Sequence, residues 1–131
     1  MALHVSRPLL DRLLGEAAKA APEECCGILL GQGNRVEAMV PAANVAEDRH
    51  RRFEIDPQAL IDAHRQARAG GPQVLGYYHS HPDGPAAPSA VDAALAAGDG
   101  MVWAIIGKTG VTFWRDEERG FVPLSTAIED R

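Results

Sequence analysis

The 131-residue sequence has no apolar run near the ~20 residues that a membrane-spanning helix needs. No long apolar stretch follows a basic start at the N-terminus, so we expect no signal peptide and a cytoplasmic protein. Basic residues are also few: 13 Lys and Arg stand against 18 Asp and Glu, a formal net charge of −5. This balance disfavours nucleic-acid partners, since a basic surface is needed to displace counterions from phosphate.

Cysteine is scarce, and the two cysteines are adjacent at Cys25 and Cys26. Neighbouring cysteines cannot form the spaced disulfide framework of a small secreted domain. We expect two reduced residues that pack as small apolar side chains. A thiol nucleophile or a zinc ligand is the alternative.

Repeats, low-complexity tracts and an obvious linker are also absent. Hydrophobic residues make up 46% and charged residues 24%, which is typical of a globular chain rather than a disordered one. The length suits one hydrophobic core. We therefore expect a single domain over residues 1–131, with an oligomeric state that the sequence does not give.

Helix and strand patterns alternate along the chain. Apolar residues recur at helical spacing after Ser6 and Pro8, and Pro22 ends that helix. A second helix begins at Asp56-Pro57 and ends before Gly70. A third is expected over 89–97, closed by Gly98. Strand patterns cover 26–30, 36–40, 53–55, 74–81, 101–106, 111–115 and 121–124. This order predicts an α/β (α+β) fold, a mixed sheet with helices packed on it.

The segment with the clearest chemistry runs from His79 to Asp92. Residues two apart on a strand face the same way, roughly 7 Å apart, so His79 and His81 can lean onto one ion. Pro82 ends the strand at once, and a Pro/Gly-rich loop can return the start of the third helix, with Asp92, to the same point. Two histidines and one carboxylate leave a coordination position for water, as catalytic zinc requires.

Plainer explanations exist for the same residues. A lone His-x-His on a strand is often surface or satisfied core polarity. Ser89 and Asp92 also fit a helix capping box, in which the Asp92 carboxylate serves the backbone instead of a metal. The two accounts compete for Asp92 only, because Ser89 can cap the helix and still direct its hydroxyl towards the site.

The combination of His-x-His-Pro, a tight loop and Ser-x-x-Asp resembles the JAMM (MPN-plus) metallopeptidase motif, which also has a glutamate upstream. Here the upstream segment is Pro22-Glu23-Glu24-Cys25-Cys26-Gly27, similar to the P-x-E-x-C-G segment of prokaryotic members. The segment 52–57 also resembles the family. The resemblance covers residues 8 to about 115 and implies a JAMM/MPN core, a largely antiparallel, cytidine-deaminase-like sheet flanked by helices.

The resemblance also implies the roles of individual residues. His79, His81 and Asp92 match the zinc ligands, and Glu24 matches the general acid/base that moves protons between water and the leaving amine. Ser89 matches the hydroxyl that steadies the water and the developing oxyanion. Only the family spacing selects Glu24 over Glu23.

For a minimal prokaryotic member, the resemblance implies an isopeptidase-like hydrolase that cuts an amide bond after the Gly-Gly tail of a ubiquitin-like or sulfur-carrier protein. Such a tail is expected to pair with an exposed sheet edge. The basic loop 49–52 is expected to be solvated, or to attract an acidic partner.

Other functions remain open. A mononuclear iron enzyme can use the same ligands but usually sits on an all-β barrel. A zinc deaminase is disfavoured because its H-x-E and P-C-x-x-C motifs are absent. A binding module for ubiquitin-like tails would need neither Glu24 nor Ser89. His64 aligns with apolar residues of the second helix, so it is expected to pack rather than ligate.

Overall fold

The computed structural model of the protein describes residues 2–130. Its elements follow one another as β1 (Leu3–Ser6), α1 (Arg7–Ala20), β2 (Cys26–Gln32), β3 (Arg35–Ala42), α2 (Pro57–Arg68), β4 (Gln73–Ser80), α3 (Ala90–Leu95), β5 (Val102–Gly107), β6 (Gly110–Glu117), β7 (Gly120–Leu124) and β8 (Thr126–Glu129). No helix within this range is long and apolar enough to cross a bilayer.

The strands form one sheet in the order β7-β6-β5-β4-β2-β3-β1-β8. Four neighbouring pairs are antiparallel, while β4 runs parallel to β5 and β1 runs parallel to both β3 and β8. The mixed, largely antiparallel sheet expected from the sequence is therefore confirmed. β4 lies in the interior of the sheet, held on one side by β2 and on the other by β5.

The two long helices cover opposite faces of this sheet. Leu9 and Leu13 of α1 pack with Leu29 of β2 in the larger core cluster. The neighbouring Ile28 and Leu30 join a smaller cluster with α2. Alternation along a strand sends successive side chains to opposite faces, which explains why one strand serves both cores.

Both helices begin at the residues that the sequence predicts. The Ser6 hydroxyl accepts a hydrogen bond from the backbone N–H of Leu9, and the Asp56 carboxylate accepts one from the N–H of Gln58. Each cap is followed by proline in the first turn. These caps satisfy N–H groups that a helix start leaves without intrahelical partners.

Two local predictions are wrong, and two strands are missing from the prediction. The third helix is shorter than 89–97 and ends at Leu95. The N–H groups of Ala97 and Gly98 instead donate to the buried carboxylate of Asp116, which draws the chain away from the helix axis. The segment 53–55 is not a strand but a loop with one isolated bridge, from Ile55 to Asn44. Two short strands, β1 and β8, were not predicted at all.

The centre of the sheet is closely packed at Gly76, where β4 meets β5. A Cβ added at Gly76 would lie 1.7 Å from the carbonyl oxygen of Val102, and the atoms that would have to move are backbone. Any side chain here therefore separates the strand that carries the two histidines from its parallel neighbour.

Gly76→Ala should lower the free energy of unfolding by about 3 kcal/mol or more, the upper end of overpacking costs, since no flexible side chain can give way. Gly15→Ala in α1 is the matched control: nothing lies within 4 Å of its added Cβ. That control should stabilise the helix by roughly 0.5–1 kcal/mol. Urea unfolding of both variants measures the difference, and equal midpoints would contradict the packing argument.

Candidate functional site

β4 places His79 and His81 on one side of the sheet at the C-terminal end of the strand. His79 pairs in register with Cys26 of β2 and Ile105 of β5, and it is fully buried. His81 lies just past the strand end, where its N–H donates to the carbonyl of Ile106 at 2.8 Å. The backbone of both residues is thus held by the sheet, and their imidazoles meet with the Nε2 atoms 3.1 Å apart.

Asp92 reaches the same point from the first turn of α3. Its Oδ1 lies 3.0 Å from Nε2 of His79, and its Oδ2 lies 3.1 Å from Nε2 of His81. The same Oδ2 accepts a hydrogen bond from the Ser89 N–H at 2.9 Å. The capping box and the histidine contacts therefore coexist, and the expectation that they compete for Asp92 is wrong.

These three side chains can hold a metal ion. Within the part of the chain that the structure describes, their ligand atoms all lie within 4.8 Å of one another. A tetrahedral zinc ion with bonds of ~2.0 Å has ligands separated by ~3.3 Å. The two Nε2 atoms lie 3.1 Å apart, and each lies 3.0–3.1 Å from a different oxygen of Asp92, so a shared ion needs only a small movement of the three side chains.

Charge within the cluster is arranged around the Asp92 carboxylate. Burial alone would raise the pKa of Asp92, but hydrogen bonds from His79, His81 and the Ser89 N–H hold it well below its usual range. Burial lowers the pKa of His79, so its ring is neutral. The hydrogen bond to Asp92 raises the pKa of His81. A metal ion binds the deprotonated Nε2 of His81, so at this point it competes with a proton, while Asp92 stays ionised.

The two imidazoles are oriented by different contacts. Nδ1 of His81 lies 3.0 Å from the carbonyl oxygen of Pro85, which can only accept, so Nδ1 carries the hydrogen and Nε2 faces the cluster. Nδ1 of His79 has no hydrogen-bond partner among residues 2–130. The His79 ring instead stacks on Phe53, with centroids 4.2 Å apart, and meets the edge of Trp103 at 5.6 Å.

Glu24 lines one wall of a cleft of about 370 Å³ that opens beside this cluster, and His81 and Ser89 line it too. Only 6% of Glu24 is exposed. Burial raises the pKa of its carboxyl to about 7, against an opposing effect of His81. A carboxyl that titrates near neutrality can both accept and return a proton.

The backbone N–H and the side-chain oxygen of Ser89 both bond to Asp92, but the hydroxyl hydrogen takes part in neither bond. The Ser89 Oγ accepts the Asp92 N–H at 3.1 Å, as a helix cap does. A hydroxyl both accepts and donates, so its hydrogen remains available to the cleft. Ser89 can therefore cap α3 and still present a donor beside the three ligands.

The other candidates are not among the grouped ligand residues. His64 sits on α2 and is not among the grouped ligand residues. Cys25 and Cys26 are free, and burial raises the pKa of both thiols, which disfavours a nucleophilic role. In the basic loop, Arg49 pairs with Glu23 at 3.2 Å. That contact directs Glu23 to the outer surface, whereas Glu24 faces the cleft.

Sequence reasoning missed the aromatic support of His79 by Phe53 and Trp103. Phe53 was assigned to a strand, and Trp103 had no assigned role. The available signal is that Phe53 lies within the family-like segment 52–57, since a large ring in an irregular loop needs a packing partner.

Residues 6–117 match the family described as prokaryotic homologues of the JAB domain. The desampylase of Haloferax volcanii is 33% identical over 91% of this chain and 91% of its own length. A probable TtuB-protein conjugate cleaving protease of Thermus thermophilus is 36% identical over 70% of this chain and 62% of its own length. The crystal structure of a JAB1/MPN domain protein from Archaeoglobus fulgidus superposes with a TM-score of 0.65, at 21% identity over 96% of this chain and 98% of that one.

The metal-binding capacity of the cluster can be measured directly. The protein should bind about one Zn²⁺ per chain, and the alanine variants of His79, His81 and Asp92 should each lose it, because two ligands are too few to hold the ion. His64→Ala is the matched histidine control and should bind as wild type does. Elemental analysis after dialysis reads the stoichiometry, and full occupancy in Asp92→Ala would leave Asp92 with its capping role alone.

The raised pKa of Glu24 predicts a pH-dependent stability of the metal-free protein. The pKa of Glu24 is about 7 in the folded state, whereas a carboxyl in the unfolded chain has the usual pKa of 4.5. Between these two values the unfolded state has lost the proton that the folded state keeps, so the free energy of unfolding should fall as pH rises through this window. Glu24→Gln removes that loss. Its stability relative to wild type should grow from pH 4.5 to 7.5 by at most ~3 kcal/mol.

Denaturant unfolding in the presence of a chelator, across that pH range, measures the effect. Glu23→Gln is the matched control, since it alters an exposed ion pair and should change stability by less than ~1 kcal/mol at every pH. A Glu24→Gln difference that is flat with pH would show that this carboxyl ionises freely in the fold.

Proposed function

The chain belongs to the family of prokaryotic homologues of the JAB domain, and we propose that it is a zinc-dependent peptidase that cuts an amide bond at the tail of a ubiquitin-like or sulfur-carrier protein. The resemblance to JAMM/MPN proteins drawn from the sequence is thereby confirmed. One observation carries the proposal. His81, a member of the cluster of three ligands, lines the same cleft as Glu24 and Ser89. A single JAMM/MPN domain over residues 1–131 is part of the proposal.

His79, His81 and Asp92 would hold the zinc ion. Zinc bound there supplies a Lewis acid that lowers the pKa of a water molecule and polarises a substrate carbonyl. Two of the three ligands are almost fully buried, while His81 is partly open to the cleft. Substrate and water therefore reach the centre from the side of His81, Ser89 and Glu24.

Glu24 would move the protons. Its carboxylate takes a proton from the attacking water and later delivers one to the leaving amine. In the metal-free protein burial raises the pKa of Glu24 to about 7, and this same burial opposes the acidifying effect of a bound cation, so the carboxyl keeps the ability to accept and return a proton. Burial beside the cluster creates that pKa, so position and acidity have the same cause.

Ser89 would stabilise the negative charge that develops on the carbonyl oxygen. Its hydroxyl is fixed by the Asp92 N–H at 3.1 Å, so the donor is already placed before the charge forms. A preorganised donor is more effective than a mobile one because nothing must reorient during the reaction. A pure binding module has no need of this hydroxyl or of Glu24.

The substrate class rests on the relatives and on the shape of the cleft. Two relatives are a desampylase and a probable protease of TtuB-protein conjugates, which supports a protein conjugate as substrate. The cleft wall formed by residues 82–88 is rich in proline, glycine and alanine, and we propose that it leaves only a narrow passage for the tail. Glycine residues at the end of a tail pass such a wall because they carry no side chain.

The tail does not have a free sheet edge near the centre. β4 is paired on both sides, and within residues 2–130 the sheet ends at β7 and β8. The expectation that the tail adds as a strand to an exposed edge stays a prediction, and β4 itself offers no free edge for it. We place the tail in the cleft between the basic loop at Arg51 and the wall 82–88.

The decisive experiment uses a ubiquitin-like carrier that ends in Gly-Gly followed by a short C-terminal extension. Zinc-loaded protein should release the extension after Gly-Gly, and changing the final Gly to Val should abolish cutting, since a branched side chain blocks the passage. Glu24→Gln should retain zinc and cut ~10²-fold more slowly, while Glu23→Gln cuts normally. Mass spectrometry identifies the cut site.

Equal cutting of the Gly and Val substrates would refute the Gly-Gly specificity alone. Full activity after zinc removal, or in Glu24→Gln, would refute the zinc peptidase itself.

A further inference from the structure

Glu24 lies in a segment without regular structure, between the end of α1 and the start of β2. Such a segment has no ladder to fix its position, so its backbone groups must find individual partners. Glu24 and Cys25 together present two N–H and two C=O groups. Where these four hydrogen bonds go determines where the Glu24 carboxyl stands.

All four groups have partners, and two partners are side chains. The Glu24 N–H donates to the carbonyl of Arg49 at 2.7 Å, and the Glu24 carbonyl accepts from the Asn44 side-chain amide at 3.0 Å. The Cys25 N–H donates to the Ser80 hydroxyl at 2.8 Å, and the Cys25 carbonyl accepts from the Ser80 N–H at 3.2 Å.

Ser80 stands between the two histidines on the chain. Alternation turns its side chain away from theirs, and it is 1% exposed. Its hydroxyl is therefore unable to join the ligand set. Ser80 connects His79 to His81 through its backbone, and it also forms two hydrogen bonds to Cys25, the residue that follows Glu24. The end of this strand therefore sets the distance between the metal ligands and the acid/base.

Asn44 holds the segment from the other side. Its amide donates to the carbonyls of Glu24 and Arg52, both at 3.0 Å, and its oxygen accepts from the N–H groups of Ala46 and Glu54 at 3.1 Å. This side chain ties Glu24 to both ends of the loop 46–54.

We propose that Ser80 and Asn44 are positioning residues that fix Glu24 against the metal ligands, and we call this pair the bracket. Ser80 is the direct link between the His-x-His strand and the acid/base. The inference rests on the proposed function, because it assigns Glu24 a role in proton transfer. It goes further by explaining why the residue between the two histidines carries a hydroxyl, which coordination does not require.

A double-mutant cycle on conjugate cleavage tests the link. Ser80→Ala should lower kcat by ~10-fold or more, since a misplaced acid/base loses its approach to water, with KM nearly unchanged. Ser80→Thr keeps the hydroxyl and should restore most of the rate. In a Glu24→Gln background, Ser80→Ala should cost less than ~2-fold, because the group it positions is gone. Zinc affinity should be the same in all four proteins.

The same fold loss in both backgrounds would overturn the proposal, and so would weaker zinc binding in Ser80→Ala, which would place the effect on the histidines. Asn44→Asp provides a second variant that keeps the acceptor and removes the donor to Glu24. It should reproduce the loss of kcat, and a rate equal to wild type would remove Asn44 from the bracket.

A readout independent of activity separates this inference from the proposed function. Amide hydrogen exchange by NMR should show the Cys25 N–H protected in wild type and Ser80→Thr, and at least ~10-fold faster in Ser80→Ala, while the β4 amides are unchanged. Equal protection in Ser80→Ala would refute the bracket whatever the substrate is. A protected amide in a protein that cuts no conjugate would refute the proposed function and leave the bracket intact.

Discussion

The carboxylate of Asp92 is the constraint on which the centre of the molecule depends. It is 2% exposed and ionised, and a buried negative charge is costly unless every part of it is paired. Three partners come from two places: two imidazoles at the end of β4, and the backbone N–H of Ser89 at the start of α3. One ionised group thus holds the loop 82–89 against the sheet and caps a helix of only six residues. Its negative charge also favours a cation between Asp92 and the two imidazoles.

The two faces of β4 have different functions. The α2 face of β4 carries Tyr77 and His79 and is lined by aromatic rings, so the buried imidazole is held by stacking and stays neutral. The α1 face carries Tyr78 and Ser80, whose contacts reach the segment in front of β2. Alternation along four residues therefore gives ligation on one side and support for the acid/base on the other.

Local patterns in the sequence predicted the parts whose causes are local. The caps at Ser6 and Asp56 and the His79–Asp92 segment each depend on residues close together in the chain. Long-range partners decided the rest. β1 and β8 are four residues each and pair with strands distant in sequence, so neither has a pattern of its own. α3 ends early because Asp116, on a later strand, captures the following N–H groups. Nothing in the local sequence around Asn44 or Ser80 indicates a role, because their partners at Glu24 and Cys25 are distant in the chain.

Trp103 has a consequence for how the centre can be observed. The protein has two tryptophans, and Trp103 meets the His79 ring edge-on at 5.6 Å. Because the two rings are in contact, a change of charge on the imidazole, by a proton or by a bound metal ion, changes the surroundings of the indole. The fluorescence of Trp103 is therefore an optical signal built into the protein that follows the state of one buried histidine. Trp114, which is the register partner of Trp103 in the β5–β6 pair and donates to Thr112 at 2.8 Å, adds an emission of its own that Trp114→Phe would remove. Metal exchange can be followed in this way in real time, without a label.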